Sequence, residues 1–244
     1  MVHEAALCFS ARTIGHGMSD AFPTFTLPDV LRRLGAPSPS VASPSTLAVV
    51  EEIRHKETRL RKWVPARLLR RFDRGFARSY TIQPSTAQAL YGIASALHAG
   101  VVIETGTYWG YSTALLAAAC RDANLGVVHS FDLYKHAGRH IPRDLMTWIR
   151  LYRGEPATTA MPTALAGKTS RLFFQDSVHD YAGVLAELVA ARPFLSADAV
   201  VLFHDFVVDG VRQAAVDGLP GYQIGRVDVD DPQQLGIAFG PALR

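Results

Sequence analysis

Cysteine is scarce. Cys8 and Cys120 are the only two in 244 residues and carry no metal-binding spacing, so a reduced, cytoplasmic protein is the simplest reading. No run of about 18 uncharged apolar residues occurs, which argues against a membrane-spanning helix. The opening string MVHEAALCFSARTIGHGMSD holds Glu4 and only a short apolar patch, so it does not read as a secretory signal, and residues 1–17 are expected to be extended with little structure. The dinucleotide fingerprint G-x-G-x-x-G is absent at the one place that could carry it. There Gly106, Tyr108 and Tyr111 occupy its three glycine positions. Acid is also scarce in residues 54–78, which hold ten of the 25 Lys and Arg residues against only Glu57 and Asp73. Such a run is either a solvated helix face or a surface for an acidic partner, whether substrate, second subunit or membrane. Nucleic acid ranks low, because no nucleic-acid motif accompanies the charge.

What is present is an ordinary globular composition, 48% apolar and 19% charged, which predicts a real core. Residues 1–80 read as an N-terminal extension. Within it lie a short helix, LPDVLRRLG, a Pro/Ser-rich linker at 35–46, and a basic helical arm at 47–80 that Pro65 interrupts. From residue 81 to 244 the pattern alternates. Strands are expected at VVIE, GVVHSFD, WIRLYRG, RLFFQD and AVVLFHD, and helices at PSTAQALYGIASALHAG, STALLAAAC, YAGVLAELVAARPF and GVRQAAVDGL. YQIGRVDV and LGIAFG close the chain as a hairpin-like pair. The expected fold is α/β, a doubly wound, mostly parallel, seven-stranded Rossmann-like sheet. Ligands of such sheets bind beyond the carboxyl ends of the strands. Glu104, Asp132, Asp176 and Asp205 all fall on ends of that kind.

In VVIETGTYWGYST, Glu104, Gly106 and Gly110 form an E-x-G-x-x-x-G pattern between strand and helix. Glycine lets a ligand approach the backbone, and the helix start offers free N–H groups. Asp132 ends the next strand and can accept both hydroxyls of a ribose, a feature shared by dinucleotide and adenosyl sites. An adenosyl ligand without a pyrophosphate needs fewer close backbone approaches. Asp176 and Asp205, on neighbouring strand ends, make a fair start on a hard-cation site.

Residues 81–239 resemble the class I S-adenosylmethionine-dependent methyltransferases. The strings QDSVHDYAGVLAEL and AVVLFHDFVVDGV are similar to the D-G-x-H-x-Y and V-F-H-D-F strands of small metal-dependent O-methyltransferases. The resemblance implies that Glu104, Gly106, Thr107, Tyr108 and Gly110 line the cofactor site with Ser112, that Asp132 holds the ribose, and that Glu155 lies near the adenine. It also implies that Asp176 and Asp205 bind Mg²⁺ or a similar ion, and that His179, three residues after the first acid, is the base acting with Asp176. Such a base suits a hydroxyl acceptor on a sugar or small natural product, because metal coordination and a near-neutral imidazole both help remove its proton. His136, His140 and His204 are candidate substrate contacts, with surface exposure or core packing as their other readings. The chain departs from the pattern at Ser177, where a glycine is usual, and at Phe206, where catechol-type members carry an amide ligand. A metal-independent enzyme using His179 or His204 therefore stays open. Residues 1–80 would then serve as a lid and a contact to a second subunit. Two rival readings remain, a nucleotide-binding oxidoreductase and a non-catalytic adenosyl-binding module.

Overall fold

The computed structural model describes residues 22–36, 42–63 and 82–243. The expectations for residues 1–17, for 37–41 of the linker and for 64–80 of the basic arm lie outside these. Among the described residues eight strands form one sheet: β1 (Thr24–Phe25), β2 (Val101–Thr105), β3 (Val127–Asp132), β4 (Ile149–Arg153), β5 (Ser170–Gln175), β6 (Leu195–Phe203), β7 (Gln223–Val227) and β8 (Leu235–Phe239). Their spatial order is β1-β7-β8-β6-β5-β2-β3-β4. All neighbours are parallel except β6·β8 and β7·β8, so the mostly parallel sheet with a closing antiparallel pair is as expected. The eighth strand, β1, was not expected. It comes from the N-terminal extension and pairs with β7 through Thr24↔Arg226 and Phe25↔Val227.

The α-helices described are α1 (Leu27–Arg33), α2 (Pro44–Trp63), α3 (Pro84–Leu97), α4 (Tyr111–Asp122), α5 (Ala157–Ala164), α6 (Tyr181–Ala191) and α7 (Asp209–Gly218). Strand side chains alternate between faces, and this alternation builds two cores. Leu172 and Phe174 of β5 join Val102, Val128, Val200 and Leu202 beneath α3 and α4. Phe173 joins Ile103, Phe131, Val201 and Phe203 against α5, α6 and α7. Burying each such side chain stabilises the fold by about 1.5–3 kcal/mol.

The described residues of the extension pack into this body. Val30, Leu31, Ala42 and Ile53 are buried, Phe25 meets Phe239 edge-on, and the Arg33 guanidinium donates to the Leu243 carbonyl and to Gln223. Helix α2 begins at Pro44, inside the expected linker. Five of the ten basic residues at 54–78 fall within α2, and of these Arg54 and Lys56 pair along the helix with Glu51 and Glu52.

The chain winds from β2 toward β4 in one direction and through β5 and β6 in the other. The switch point lies between β2 and β5, where an open α/β sheet forms its crevice.

Candidate active site

A cavity of about 800 Å³ opens at this switch point, lined by residues that follow β2, β3, β5 and β6. It brings together Gly106, Thr107, Tyr108, Ser112, Asp132, Asp176, His179, His204 and Asp205 of the sequence candidates.

The turn after β2 is fixed by close approach. Gly106 has φ +90°, and a Cβ there would lie 1.9 Å from the Asp176 carbonyl oxygen. Only glycine lets the two strand ends come this near. Gly110 (φ +98°) starts α4 and sits against Ile141, outside the lining. Tyr108 is also left-handed, at φ +44°, and its N–H donates to Asp132 Oδ2 at 2.6 Å, while the Tyr134 N–H donates to Oδ1 at 2.7 Å. Two backbone N–H groups thus orient the Asp132 carboxylate, which keeps free lone pairs on the cavity wall.

Glu104 stands behind this wall, fully buried. Register places it beside Ser130. The Thr113 and Ser130 hydroxyls both donate to its Oε2 at 2.6 Å. Since Ser130 spends its proton on Glu104, Thr107 is the donor in the 2.5 Å contact between Thr107 and Ser130. Burial pushes the Glu104 carboxyl up to about 7, against the pull of these hydroxyls.

The second cluster lies across the cavity. Asp176, His179 and Asp205 each offer a ligand atom, and these atoms fall within 4.8 Å of one another. His179 Nε2 is 3.1 Å from Asp205 and 4.0 Å from Asp176. Asp176, then Asp205, hold the His179 imidazole above its usual range, against the effect of burial. Asp205 sits at φ +54°, a strained conformation for a non-glycine residue. His204 lies beneath, 1% exposed. Its Nδ1 is 3.0 Å from both Asp176 Oδ1 and Asp205 Oδ2, and its Nε2 is 3.7 Å from Asp231 Oδ2. Burial alone would lower the His204 pKa, but the three carboxylates outweigh it and raise it well above the usual value. Both ring nitrogens of His204 therefore face carboxylates. Two carboxylates and an imidazole at this spacing form a donor set that fits a divalent cation, and each carboxylate keeps lone pairs beyond those facing His204.

The structure separates other candidates from the cavity. Glu155 is exposed, and the wall beside it is Pro156, Ala157 and Thr158. His136 is exposed, edge-on to Tyr134. His140 stacks on Trp109, with ring centroids 4.4 Å apart.

Three contributors were not read from the sequence. Glu187 of α6 lines the cavity and accepts from Ser177 Oγ at 2.5 Å, Thr105 Oγ1 at 2.9 Å and Gln175 Nε2 at 3.3 Å, tying the ends of β2 and β5 together. Burial raises its carboxyl. Gln233 donates to Asp205 Oδ1 at 2.9 Å. Asp231 backs His204. Burial works to raise the Asp231 carboxyl, yet the His204 imidazole 3.7 Å away and the hydrogen bond from the Thr86 hydroxyl hold it at about 2.

Residues 103–206 match the family described as a methyltransferase domain. No curated protein sequence matches the chain. Among solved structures, the O-methyltransferase TomG from Streptomyces achromogenes, involved in tomaymycin synthesis and seen in complex with S-adenosylmethionine, is 15% identical with a TM-score of 0.59, over 82% of this chain and 92% of that one. An O-methyltransferase from Bacillus cereus in complex with S-adenosylhomocysteine is 16% identical with a TM-score of 0.55, over 79% and 90%. A TDP-rhamnose 3'-O-methyltransferase of calicheamicin biosynthesis is 20% identical with a TM-score of 0.51, over 81% and 95%. The strand order, the match over residues 103–206 and these shared structures together support a class I S-adenosylmethionine-dependent methyltransferase fold.

Proposed function

We propose that the protein transfers a methyl group from S-adenosylmethionine to a hydroxyl of a sugar or other small natural product, with a divalent cation held by Asp176 and Asp205. The observation that carries this reading is that one cavity contains both halves of the chemistry. Asp132 and the Gly106–Tyr108 turn form one wall, and Asp176, His179 and Asp205 form the other. An alcohol is a poor nucleophile until its proton is removed. When bound, the cation would supply positive charge that lowers the hydroxyl pKa and would accept vicinal oxygens of a saccharide. His179, at 39% side-chain exposure, is the accessible imidazole of the pair and takes the proton, while His204 stays buried and positions the two acids.

Transfer then requires alignment of acceptor oxygen, methyl carbon and sulfur in a site that excludes water. The turn residues Tyr108, Trp109 and Tyr111 wall the cavity with aromatic surface. The Tyr111 hydroxyl donates to Glu51 of α2 at 3.0 Å, which supports a part for the N-terminal extension in covering the site. We also propose that this extension meets a second subunit. Among the described residues no helix is long and apolar enough to cross a membrane. We place the enzyme in the cytoplasm, with reduced cysteines.

The test is calorimetric titration with S-adenosylhomocysteine before and after EDTA treatment and with Mg²⁺ restored, followed by a methylation screen over sugars and phenols with and without Mg²⁺. Micromolar binding insensitive to EDTA, with turnover that needs the cation, is the expected result. No binding under any condition would remove the methyltransferase reading, and undiminished turnover in EDTA would remove the cation.

A further inference from the structure

Gln233 lies in the turn between β7 and β8 and is fixed there from two sides. Its backbone N–H donates to Asp231 Oδ1 at 2.9 Å, and its carbonyl accepts from the Val207 N–H at 3.1 Å. Asp231 is anchored in turn by the Thr86 hydroxyl at 2.6 Å, and the Ser85 hydroxyl donates to the Asp230 carbonyl at 2.8 Å. The start of α3 and the segment after β6 thus clamp one turn. The clamp delivers a half-buried amide to the cavity wall, where Gln233 Nε2 is 2.9 Å from Asp205 Oδ1.

A hard divalent cation takes about six or more ligands, mostly oxygen. In the reading above Asp176 and Asp205 supply one each. Phe206, the residue after Asp205, offers none, because it is 1% exposed and packs edge-on against Phe22. The Gln233 amide carries an oxygen and a nitrogen that exchange places by rotation of its last torsion. With nitrogen toward Asp205 it donates a hydrogen bond. With oxygen toward Asp205, the two oxygens would repel unless a cation sat between them. Ligands at about 2.1 Å from an octahedral ion lie about 3 Å apart along each edge, and the observed separation is 2.9 Å.

We propose that Gln233 is a ligand of the cation site, contributing its amide oxygen from the β7–β8 turn beside Asp205. The inference rests on the cation reading above and adds a residue from outside both acid-bearing strand ends. The same side chain then satisfies Asp205 with and without the ion, by donating in one state and sharing the ion in the other.

The experiment measures Mn²⁺ binding to the full-length protein by the electron paramagnetic resonance signal of the free ion, without cofactor or acceptor, for wild type, Gln233→Ala and Gln233→Glu. S-adenosylhomocysteine affinity, by calorimetry, reports whether the fold of each variant is intact. Loss of a ligand weakens Mn²⁺ binding about tenfold or more in Gln233→Ala. Gln233→Glu tightens it, since an added carboxylate raises the ligand charge. Weaker binding in both variants would mean that the amide serves only as a hydrogen-bond donor, and would overturn the inference. Wild-type affinity in Gln233→Ala would overturn it as well. A wild-type protein that binds S-adenosylhomocysteine but no Mn²⁺ would instead overturn the cation reading on which the inference stands.

Discussion

Glu104, buried behind the cavity wall, bears on the stability of the whole domain, and substitution to glutamine exposes that link. Its carboxyl is fully buried, with an ordinary value of 4.5 raised to about 7 in the fold, chiefly by loss of water. A carboxyl raised in this way is a stabilising group only while protonated. Below pH 4.5 it carries its proton in both folded and unfolded chains and does not distinguish them. Between 4.5 and 7 the folded chain holds more protons than the unfolded one, so stability falls as pH rises. Above 7 the loss is complete. A rise of about 2.5 pH units, at about 1.4 kcal/mol for each, amounts to roughly 3 kcal/mol, an order-of-magnitude figure for a group this buried. The amide of Glu104→Gln would keep an oxygen for the Thr113 and Ser130 hydroxyls that now donate to Oε2, and would not titrate. Urea unfolding of wild type and Glu104→Gln at intervals from pH 4.5 to 8.5, without cofactor, gives the difference in stability as a function of pH, and other titrating groups cancel. The difference should move by roughly 3 kcal/mol in favour of the glutamine variant across that range, centred between pH 5 and 7. A difference that stays flat would refute the reasoning and mean that Glu104 is solvated or charged at an ordinary pKa.

Three further outcomes follow from the geometry. Asp132→Asn leaves one of the N–H groups of Tyr108 and Tyr134 facing an NH₂ group, and S-adenosylhomocysteine affinity by calorimetry should fall at least about tenfold, a charged hydrogen bond contributing about 1.5–3 kcal/mol; unchanged affinity would take Asp132 out of the cofactor site. Gly106→Ala puts a Cβ 1.9 Å from the Asp176 carbonyl oxygen at φ +90°, so the two strand ends must separate. Its Tm in scanning fluorimetry should drop by roughly 5 °C, and a wild-type Tm would show that the turn yields freely. His179→Ala should lower kcat about 10²- to 10⁴-fold with S-adenosylhomocysteine affinity preserved, whereas wild-type turnover would move the base elsewhere.

The sequence carries the sheet well because buried parallel strands are short apolar runs that break into acids at the cavity, as RLFFQD does. It carries β1 poorly, because two residues have no period. Helix α5, ATTAMPTA, is hidden by Pro162 and its threonines, and without that helix Glu155 looked like the wall that Pro156 to Thr158 form. Glu187 did leave a trace. Val184, Glu187, Leu188 and Ala191 share the buried stripe of α6, and an acid on an apolar helix face asks for partners that Thr105, Gln175 and Ser177 turn out to be.

Gln233 left no local trace, since nothing in DDPQQLG marks one glutamine over the next. Its place is set by register. Core packing of alternate residues in β6 and β8 pairs Val201 with Ala238 and Phe203 with Gly236. Carrying that antiparallel count further sets Gln234 across from Asp205 and Gln233 across from Phe206, in agreement with the Phe206 N–H donating to the Gln234 carbonyl. A slip of one residue would turn Ala238 and Ile237 to the wrong cores as well as misplace the amide. The alternation that buries the hydrophobic side chains of β8 is therefore the same constraint that delivers an amide to the acid site, although no motif joins the two in sequence.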